Sequence, residues 1–454
     1  MSEATQAGGA AVQTPEARPA AYPDARRAWY IVSLLTVAYV VSFVDRSILG
    51  LLIDPIKADL GLSDFQIGLL LGPAFAIFYA TMGLPLGYLA DRSRRTWIVA
   101  AGITLWSAAT ALSGLARNFG QLFVARMSVG VGEATLSPCA MSLISDSYPE
   151  ERRGKPIAFY SSAISLGSGL AALLGAAVLA WVGSGNTTDW PLLGPLAGWQ
   201  TAFLIVGLPG VVLGVLFLFV QEPRRIVATA GGHLGHMFAF VGRHGAVFAT
   251  FLSVFCVMTI IAYSHGWLAV TFARTYGWPV EDYAFANGVT LLIVGPLSVN
   301  LAGALSDRYT SRGYRDAPMR IALFGLALAI PPCVIGPLLD NAWAAFGLLT
   351  LGNVGLAFVT ATSVTALLPI APPRIRAQVV ALYYMAISLA GLMLGPTLVG
   401  ALNDMVFGVE GVRYSVALLP VLFGGPVLAL APVTLRLYRQ ALDEDIGETL
   451  SATP

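Results

Sequence analysis

Four ionisable residues lie within long apolar stretches of this sequence: Asp45, Arg46, Arg126 and Glu133. An ionisable group in hydrocarbon costs about 3 kcal/mol or more, so such groups face an interior cavity or one another. Their formal charges sum to zero, as suits a set that pairs internally. Arg126 and Glu133 are seven residues apart on one helical face, which separates them by roughly 10 Å along the axis, too far to pair directly. Counting depth puts Arg126 level with Asp45 and Arg46, in the outer half of the bilayer, and Glu133 at its middle. The expectation is an Asp45–Arg126 pair, a separate Glu133, and an Arg46 that turns toward the outer rim. Asp45 and Glu133 are the candidate proton carriers, with Arg126 and Arg46 as charge partners or as the site for an anionic headgroup. Alternating which carboxylate Arg126 faces would couple protonation to conformation. The plainer alternative is a static ion cluster fixing two helices together.

A second set lies in loops. Asp91, Arg92 and Arg95 could form an inner gate with Asp146, Glu150, Arg152 and Arg153, although each arginine could equally serve only to anchor a helix end. An acid amid basic residues implies specific pairing, which favours the gate for Asp91. Tyr79, Tyr160, His265, Asn353 and Tyr383 are candidate polar groups of a substrate cavity, against the simpler reading that they pack. Prolines 73, 85, 138, 296 and 396 are positions where helices would bend. Cys139, Cys256 and Cys333 stand singly and lack metal-ligand spacing, so no metal or cofactor is expected. Gly130-x-Gly132 follows no strand and sits in an apolar span, which makes it a helix-packing feature and not a phosphate loop.

The elements that must position these groups are helices in a bilayer. The chain has 454 residues, 56% hydrophobic and only 11% charged, whereas ordinary globular domains carry about 25% charged residues. Twelve apolar stretches, each of the roughly 20 residues a spanning helix needs, begin near Trp29, Gln66, Trp97, Phe119, Lys155, Trp199, Ala246, Tyr283, Met319, Asn341, Arg376 and Val412. The first 27 residues are polar and rich in Ala and Pro, without the apolar core of a cleavable leader. With the N-terminus inside, 20 of the 26 basic residues fall on the inner side, and only Lys57, Arg117, Arg274 and Arg413 on the outer. An odd number of spans would scramble that bias, so both termini are expected in the cytoplasm. Net charge near zero gives no reason to expect nucleic-acid binding.

The chain also repeats itself. Gly87-Tyr-Leu-Ala-Asp91-Arg92 recurs in degenerate form as Gly303-Ala-Leu-Ser-Asp307-Arg308. Arg153, Ala158, Tyr160, Ala163, Ile164, Ser165 and Leu166 recur as Arg376, Ala381, Tyr383, Ala386, Ile387, Ser388 and Leu389. Two matches at nearly equal offsets argue for six-helix halves in parallel duplication. The expected organisation is a disordered cytoplasmic segment at 1–27, six-helix bundles at 28–221 and 246–438, a cytoplasmic inter-bundle loop at 222–245 and a disordered cytoplasmic tail at 439–454.

Gly87-x-x-x-Asp91-Arg92-x-x-Arg95 resembles the loop signature of the major facilitator superfamily, and Arg126-x-x-x-Gly130-x-Gly132 its fourth-helix signature. Asp45-Arg46, Gly132-Glu133 and Ser147-Tyr-Pro-Glu-Glu-Arg-Arg-Gly154 are similar to the spinster branch, whose members move lysolipids or sphingosine phosphates. Ser93 stands where the loop signature often has Gly, and the fifth span lacks the Gly-Pro element typical of drug/proton antiporters. The resemblance implies an all-α membrane protein of two pseudo-symmetric bundles, with the first and fourth helices lining a central cavity. It implies a proton-coupled secondary active transporter for an amphipathic, lipid-like substrate, monomeric and in the plasma (inner) membrane. The alternatives are a transporter of a small organic anion or drug on the same fold, a channel, or a membrane-embedded enzyme acting on lipids. Against the enzyme, the spans hold no clustered metal ligands and no nucleophile–base pair; against ATP as energy source, there is no Walker sequence.

Overall fold

A computed structural model describes residues 22–149, 152–184, 189–190, 194–225, 234–372 and 375–444. Among the described residues, eleven segments are long and apolar enough to cross a membrane. The remaining span is the fourth, which a break divides into two helices, each too short to cross alone.

In chain order, helix 1 is Ala25–Leu51, and helix 2 is Asp64–Leu71 continued as Pro73–Arg92. Helix 3 is Arg95–Ser113, helix 4 Phe119–Glu133 with Leu136–Ser147, helix 5 Gly154–Gly183 and helix 6 Gly198–Leu218. Helix 7 is Gly245–Ser264 with Leu268–Tyr276, helix 8 Val280–Thr310, helix 9 Ala317–Ile335, helix 10 Ala342–Leu367 and helix 11 Arg376–Leu402. Helix 12 is interrupted, as Val412–Leu419 and Gly425–Ala429 around a wide turn, and Ala431–Asp443 follows it. A two-residue strand pair, Asp189–Trp190 with Gly194–Pro195, precedes helix 6.

Backbone groups in lipid must be satisfied within the chain, which is why the apolar stretches become helices. Helix association then relies on close packing at small residues. Helix 3 crosses helix 4 where a Cβ on Gly132 would lie 2.8 Å from the Gly102 carbonyl oxygen. Helix 9 crosses helix 10 where a Cβ on Gly355 would lie 2.5 Å from the Gly325 carbonyl oxygen. Both pairs are related by an offset of 223, the offset of the longer sequence repeat. The helix starts repeat as well: Arg153 Nε donates to the Tyr148 carbonyl at 2.9 Å, and Arg376 Nε to the Ala371 carbonyl at 3.2 Å. The duplication is therefore structural, down to the arginine that ties the start of helices 5 and 11 to the preceding turn.

Helix 2 packs along helix 11, and helix 5 along helix 8, to join the halves. The near end, where helix 1 begins, and the far end differ. At the far end a Cβ on Gly72 would lie 2.2 Å from the Leu392 carbonyl oxygen, and one on Gly68 2.8 Å from that of Pro396. Further along the same pairs, Gly83, Gly87, Gly295 and Gly303 have nothing within 4 Å of such a position. The halves close at the far end and splay at the near end.

Three expectations are corrected. Helix 1 begins at Ala25, inside the segment read as disordered, and residues 1–21 lie outside the described residues. The stretch 222–245 is not all loop: Leu234–Arg243 is a helix whose Met237 and Phe240 are buried in the core of the second half. The tail keeps its helical form to Asp443, because Tyr438, Ala441 and Leu442 are buried in that core too.

Candidate functional site

Helix 1 presents Ser42, Asp45 and Arg46 at the i, i+3 and i+4 positions that share a face. Helix 4 presents Arg126 and Glu133 to it, both buried. Glu133 is the last residue of its helix segment, at the negative end of the helix dipole, where a carboxylate is disfavoured. Arg46 compensates by forming an ion pair with Glu133 Oε2, and Ser42 Oγ donates to the same oxygen at 3.2 Å. The Arg46 guanidinium also lies 4.4 Å from the Phe75 ring centroid and 5.3 Å from that of Tyr79.

This arrangement corrects the expected pairing. Arg126 Nη1 donates to the main-chain carbonyl of Asp45 at 3.3 Å, not to its carboxylate. The Asp45 carboxylate instead accepts from Ser107 Oγ on helix 3 at 3.4 Å, while its other oxygen has no partner. Arg46, read as the group that would turn to the rim, holds the ion pair. The reason is geometric: Arg46 is one turn beyond Ser42 on the face toward helix 4, and its long stem spans the depth between its own level and Glu133. Its side chain is 16% exposed against 2% for Glu133, so the pair sits at the edge of a solvent-reachable space.

Tyrosines adjoin that edge. Tyr79 stacks on Phe75 at 5.1 Å, and Tyr160 stacks on Tyr39 at 5.1 Å. Tyr39 was not singled out from the sequence, where nothing distinguishes it from a packing tyrosine. Tyr263 on helix 7 packs against the core of the first half and interacts with Arg46, bringing the second half to the cluster. Tyr383 is different. It is buried against Phe251 and Phe255 in the core of the second half, away from the charged cluster's own half. His265 lies in the short turn that breaks helix 7, near Cys333 Sγ at 3.8 Å and beside Asn353. His265 and Asn353 therefore come together, away from the charged cluster.

The expected inner gate resolves into ties within the first half. Buried Arg95 forms ion pairs with Asp146 and with Glu222 (2.8 Å), and donates to Ser142 Oγ at 2.7 Å. These partners belong to helix 4 and to the segment after helix 6, so these ties lie within the first half. Arg153 is spent on the Tyr148 carbonyl, and Arg92 lies over the Tyr88 ring. The Asp91 side chain and residues 150–151 lie outside what is described.

Sequence reasoning missed the far-end network. Arg274 on helix 7 donates to Asp54 Oδ1 at 2.5 Å and to Asp64 Oδ2 at 2.9 Å across the interface. Asp64 also pairs with Lys57 and accepts from Asn403 at 2.9 Å. Asp404 accepts from the Phe65 amide at 2.7 Å, capping helix 2 from the opposite half. The available signal was Lys57 and Arg274, basic residues placed against the charge bias of the loops.

With this geometry in hand, comparison with known proteins places the arrangement. A family model described as the Major Facilitator Superfamily matches residues 35–396. An MFS-type efflux pump of Mycolicibacterium smegmatis is 30% identical over 399 residues, covering 84% of this chain and 85% of the relative. Protein spinster of Drosophila melanogaster is 28% identical over 399 residues, 84% of this chain and 63% of the relative. Among solved structures, a bacterial homologue of the human lysosomal transporter spinster, in an inward-facing and unoccupied conformation, superposes with a TM-score of 0.75 at 25% identity. That match covers 93% of this chain and 99% of the other.

Proposed function

The chain belongs to the major facilitator superfamily and resembles its spinster branch, and on that premise we propose that it is a proton-coupled secondary transporter for an anionic, lipid-like amphipath. It is an integral membrane transporter, and membership of the superfamily displaces the reading as a lipid-modifying enzyme. The observation that carries the proposal is the Arg46–Glu133 pair, poised between a buried acid and the edge of the cleft. A buried charge is tolerated only when paired. Protonating Glu133 would therefore release Arg46, which then has every reason to take an anionic headgroup arriving through the cleft. Asp45, enclosed with one weak hydrogen bond and an unpartnered oxygen, is the second proton carrier. Arg126 holds helix 1 in register through the Asp45 carbonyl, so a proton on either acid shifts the packing of helix 1 against helix 4.

Bundles spanning 28–221 and 246–438 rock against each other, with the Arg274–Asp54–Asp64 network closing the far end while the near end is open. The loop charges support termini in the cytoplasm; with the plasma (inner) membrane as the location, the open near end then corresponds to an inward-open state. Tyr79, Tyr160 and Tyr39 flank the path an acyl chain would follow. The likeness to an efflux pump favours a second reading, a small organic anion or drug on the same machinery.

The test is uptake into proteoliposomes of a panel of lysophospholipids, sphingoid phosphates and small organic anions, with and without a pH gradient. Accumulation of the amphipaths driven by the gradient, and lost in Asp45→Asn and Glu133→Gln, is the expected result. Wild-type pH dependence in both variants would sink the proton mechanism, and uptake of the small anions alone would turn the choice to the second reading.

A further inference from the structure

Apart from the transport path, the far end carries a cavity of about 570 Å³ on the second half, where the turn between helices 7 and 8 meets the start of helix 10. Trp278, Asp282, Trp343 and Phe346 are among its lining residues. Local structure holds both tryptophans in place. Helix 7 ends on Gly277, a left-handed cap with φ of 68°, and Pro279 follows at the N-cap of helix 8. Between them the Trp278 amide donates to the Phe272 carbonyl at 3.3 Å. Trp343 is the second residue of helix 10, whose N-cap Asn341 accepts from the Ala344 amide at 2.9 Å. The rings are mutual neighbours: Trp278 lies 4.7 Å from Trp343 and 6.2 Å from Phe346, and Trp343 lies 6.3 Å from Phe346, centroid to centroid. Trp343 is nonetheless 68% exposed, so packing within the chain leaves most of it free. Among the described residues lining the cavity, Asp282 alone is charged, and it is exposed. Glu281 stands beside it in the first turn of helix 8, where acids suit the helix dipole. The dipole does not require that one of them share a cavity with three aromatic rings. Basic residues of this end are committed elsewhere, Lys57 and Arg274 to Asp64 and Arg413 to Asp340.

Aromatic faces carry negative potential and attract cations, tryptophan most strongly, and clustered rings are how quaternary ammonium groups are recognised. A carboxylate on the same wall adds a full charge, so the cavity selects a cation over an anion. We infer that it binds the ammonium headgroup of a membrane lipid, held by Trp278, Trp343 and Phe346 with Asp282 balancing its charge. The surroundings indicate a lipid as the source. Because the halves are closed at this end, the exposed side of helix 8 here is the outer flank of the bundle. Phe285, Val289 and Ile293 are exposed along helix 8 about one turn apart, an apolar track for an acyl chain leading away from Asp282. Tryptophans at the ends of spanning helices lie at headgroup level. The site stands apart from Arg46 and Glu133 and is independent of what the transporter carries.

The test is native mass spectrometry of the full-length protein in detergent, titrated separately with phosphatidylcholine, phosphatidylglycerol and choline chloride. One phosphatidylcholine is expected to stay bound at concentrations where phosphatidylglycerol does not. In Trp343→Leu the affinity for phosphatidylcholine should fall about tenfold, while Trp343→Phe keeps most of it. Asp282→Asn should narrow the preference for phosphatidylcholine over phosphatidylglycerol several-fold. The thermal midpoint in detergent should be preserved in all three variants, since Trp343 and Asp282 are exposed. Choline chloride at the same concentration should leave the lipid in place; displacement would overturn the lipid as the occupant in favour of a soluble cation. Equal retention of the two lipids, or wild-type affinity and preference in Trp343→Leu and Asp282→Asn, overturns the proposal.

Discussion

Helix 4 crosses helix 3 at Gly132 against Gly102, and 223 residues later helix 10 crosses helix 9 at Gly355 against Gly325. With the register fixed by those crossings, the same offset pairs Arg126 with Leu349 and Glu133 with Leu356. Both leucines are buried, as both charges are. Two halves of one architecture thus hold a charged interior in one copy and an apolar interior in the other. Packing at glycine is what the duplication had to keep, because helices in lipid associate through close approach. Charge is not needed for the fold, and it is costly inside it. Its confinement to the first half marks those residues as serving something other than assembly.

The strongest way to break that comparison is to treat the two equivalent positions alike. Glu133→Gln removes the protonatable partner of Arg46, and should reduce the ratio of uptake with and without a pH gradient by about tenfold or more, within the range of ordinary coupling energies. Leu356→Gln introduces the same side chain at the matching place. It should lower thermal stability yet leave that ratio unchanged. Equal loss of coupling in both would mean that any disturbance of the inner crossings uncouples transport. The converse test concerns packing. Gly132→Ala and Gly355→Ala each push a methyl group against backbone, and each should cost about 1–3 kcal/mol in unfolding experiments. Sensitivity in only one half would show that the shared crossings do not bear equal weight.

Much of the fold was legible because a membrane helix needs only length and apolarity, and the starts read from the sequence fall close to the structural ones. Asp45, Arg46, Arg126 and Glu133 were legible for the same reason, as charges out of place. Their pairing was not. Sequence spacing gives depth along one helix but not the rotation of helix 1 against helix 4, and that rotation gives Glu133 to Arg46 and leaves Arg126 with a main-chain carbonyl. A core tyrosine and a cavity tyrosine look alike in an apolar helix, and only the fold shows Tyr383 packed against Phe251 and Phe255. The far-end network escaped because Asp54, Asp64 and Asp404 lie at helix ends, where acids are ordinary; only the fold brings them to Arg274.

That network sharpens a second contrast, between the closed far end and the splayed near end. Arg274→Gln removes the cation shared by Asp54 and Asp64 and leaves Asp64 with Lys57 and Asn403. The closed far end should become several-fold less populated, about 1 kcal/mol, since part of the network survives. Distances between spin labels placed on helices 2 and 11 at that end should report a new, longer population. An unchanged distribution would mean that the glycine contacts at Gly68 and Gly72 hold the end closed without help from charge.

The smallest expected effect returns to the two halves, at the near end. Where the first half ties its helices with buried Arg95 and two acids, the second begins helix 9 with Asp316, held by Arg320 at 2.9 Å and by Arg439 from the last helix. The polarity is reversed and the setting more open, the two arginine side chains being 45% and 48% exposed. Burial raises the proton affinity of Asp316, but hydrogen bonds and charge from Arg320 and Arg439 outweigh it and hold the carboxyl below its ordinary range. Because the folded state lowers that value, the stabilisation is fully present above the unfolded carboxylate pKa of about 4 and is lost as the pH falls through the folded value. Asp316→Asn should therefore cost about 0.5–1 kcal/mol at neutral pH, and progressively less as the medium is acidified. A cost that persists unchanged in acid would locate the role of Asp316 in packing instead of charge. Arg95→Gln should exceed it at neutral pH, because it strands two carboxylates where Asp316→Asn frees two arginines into solvent.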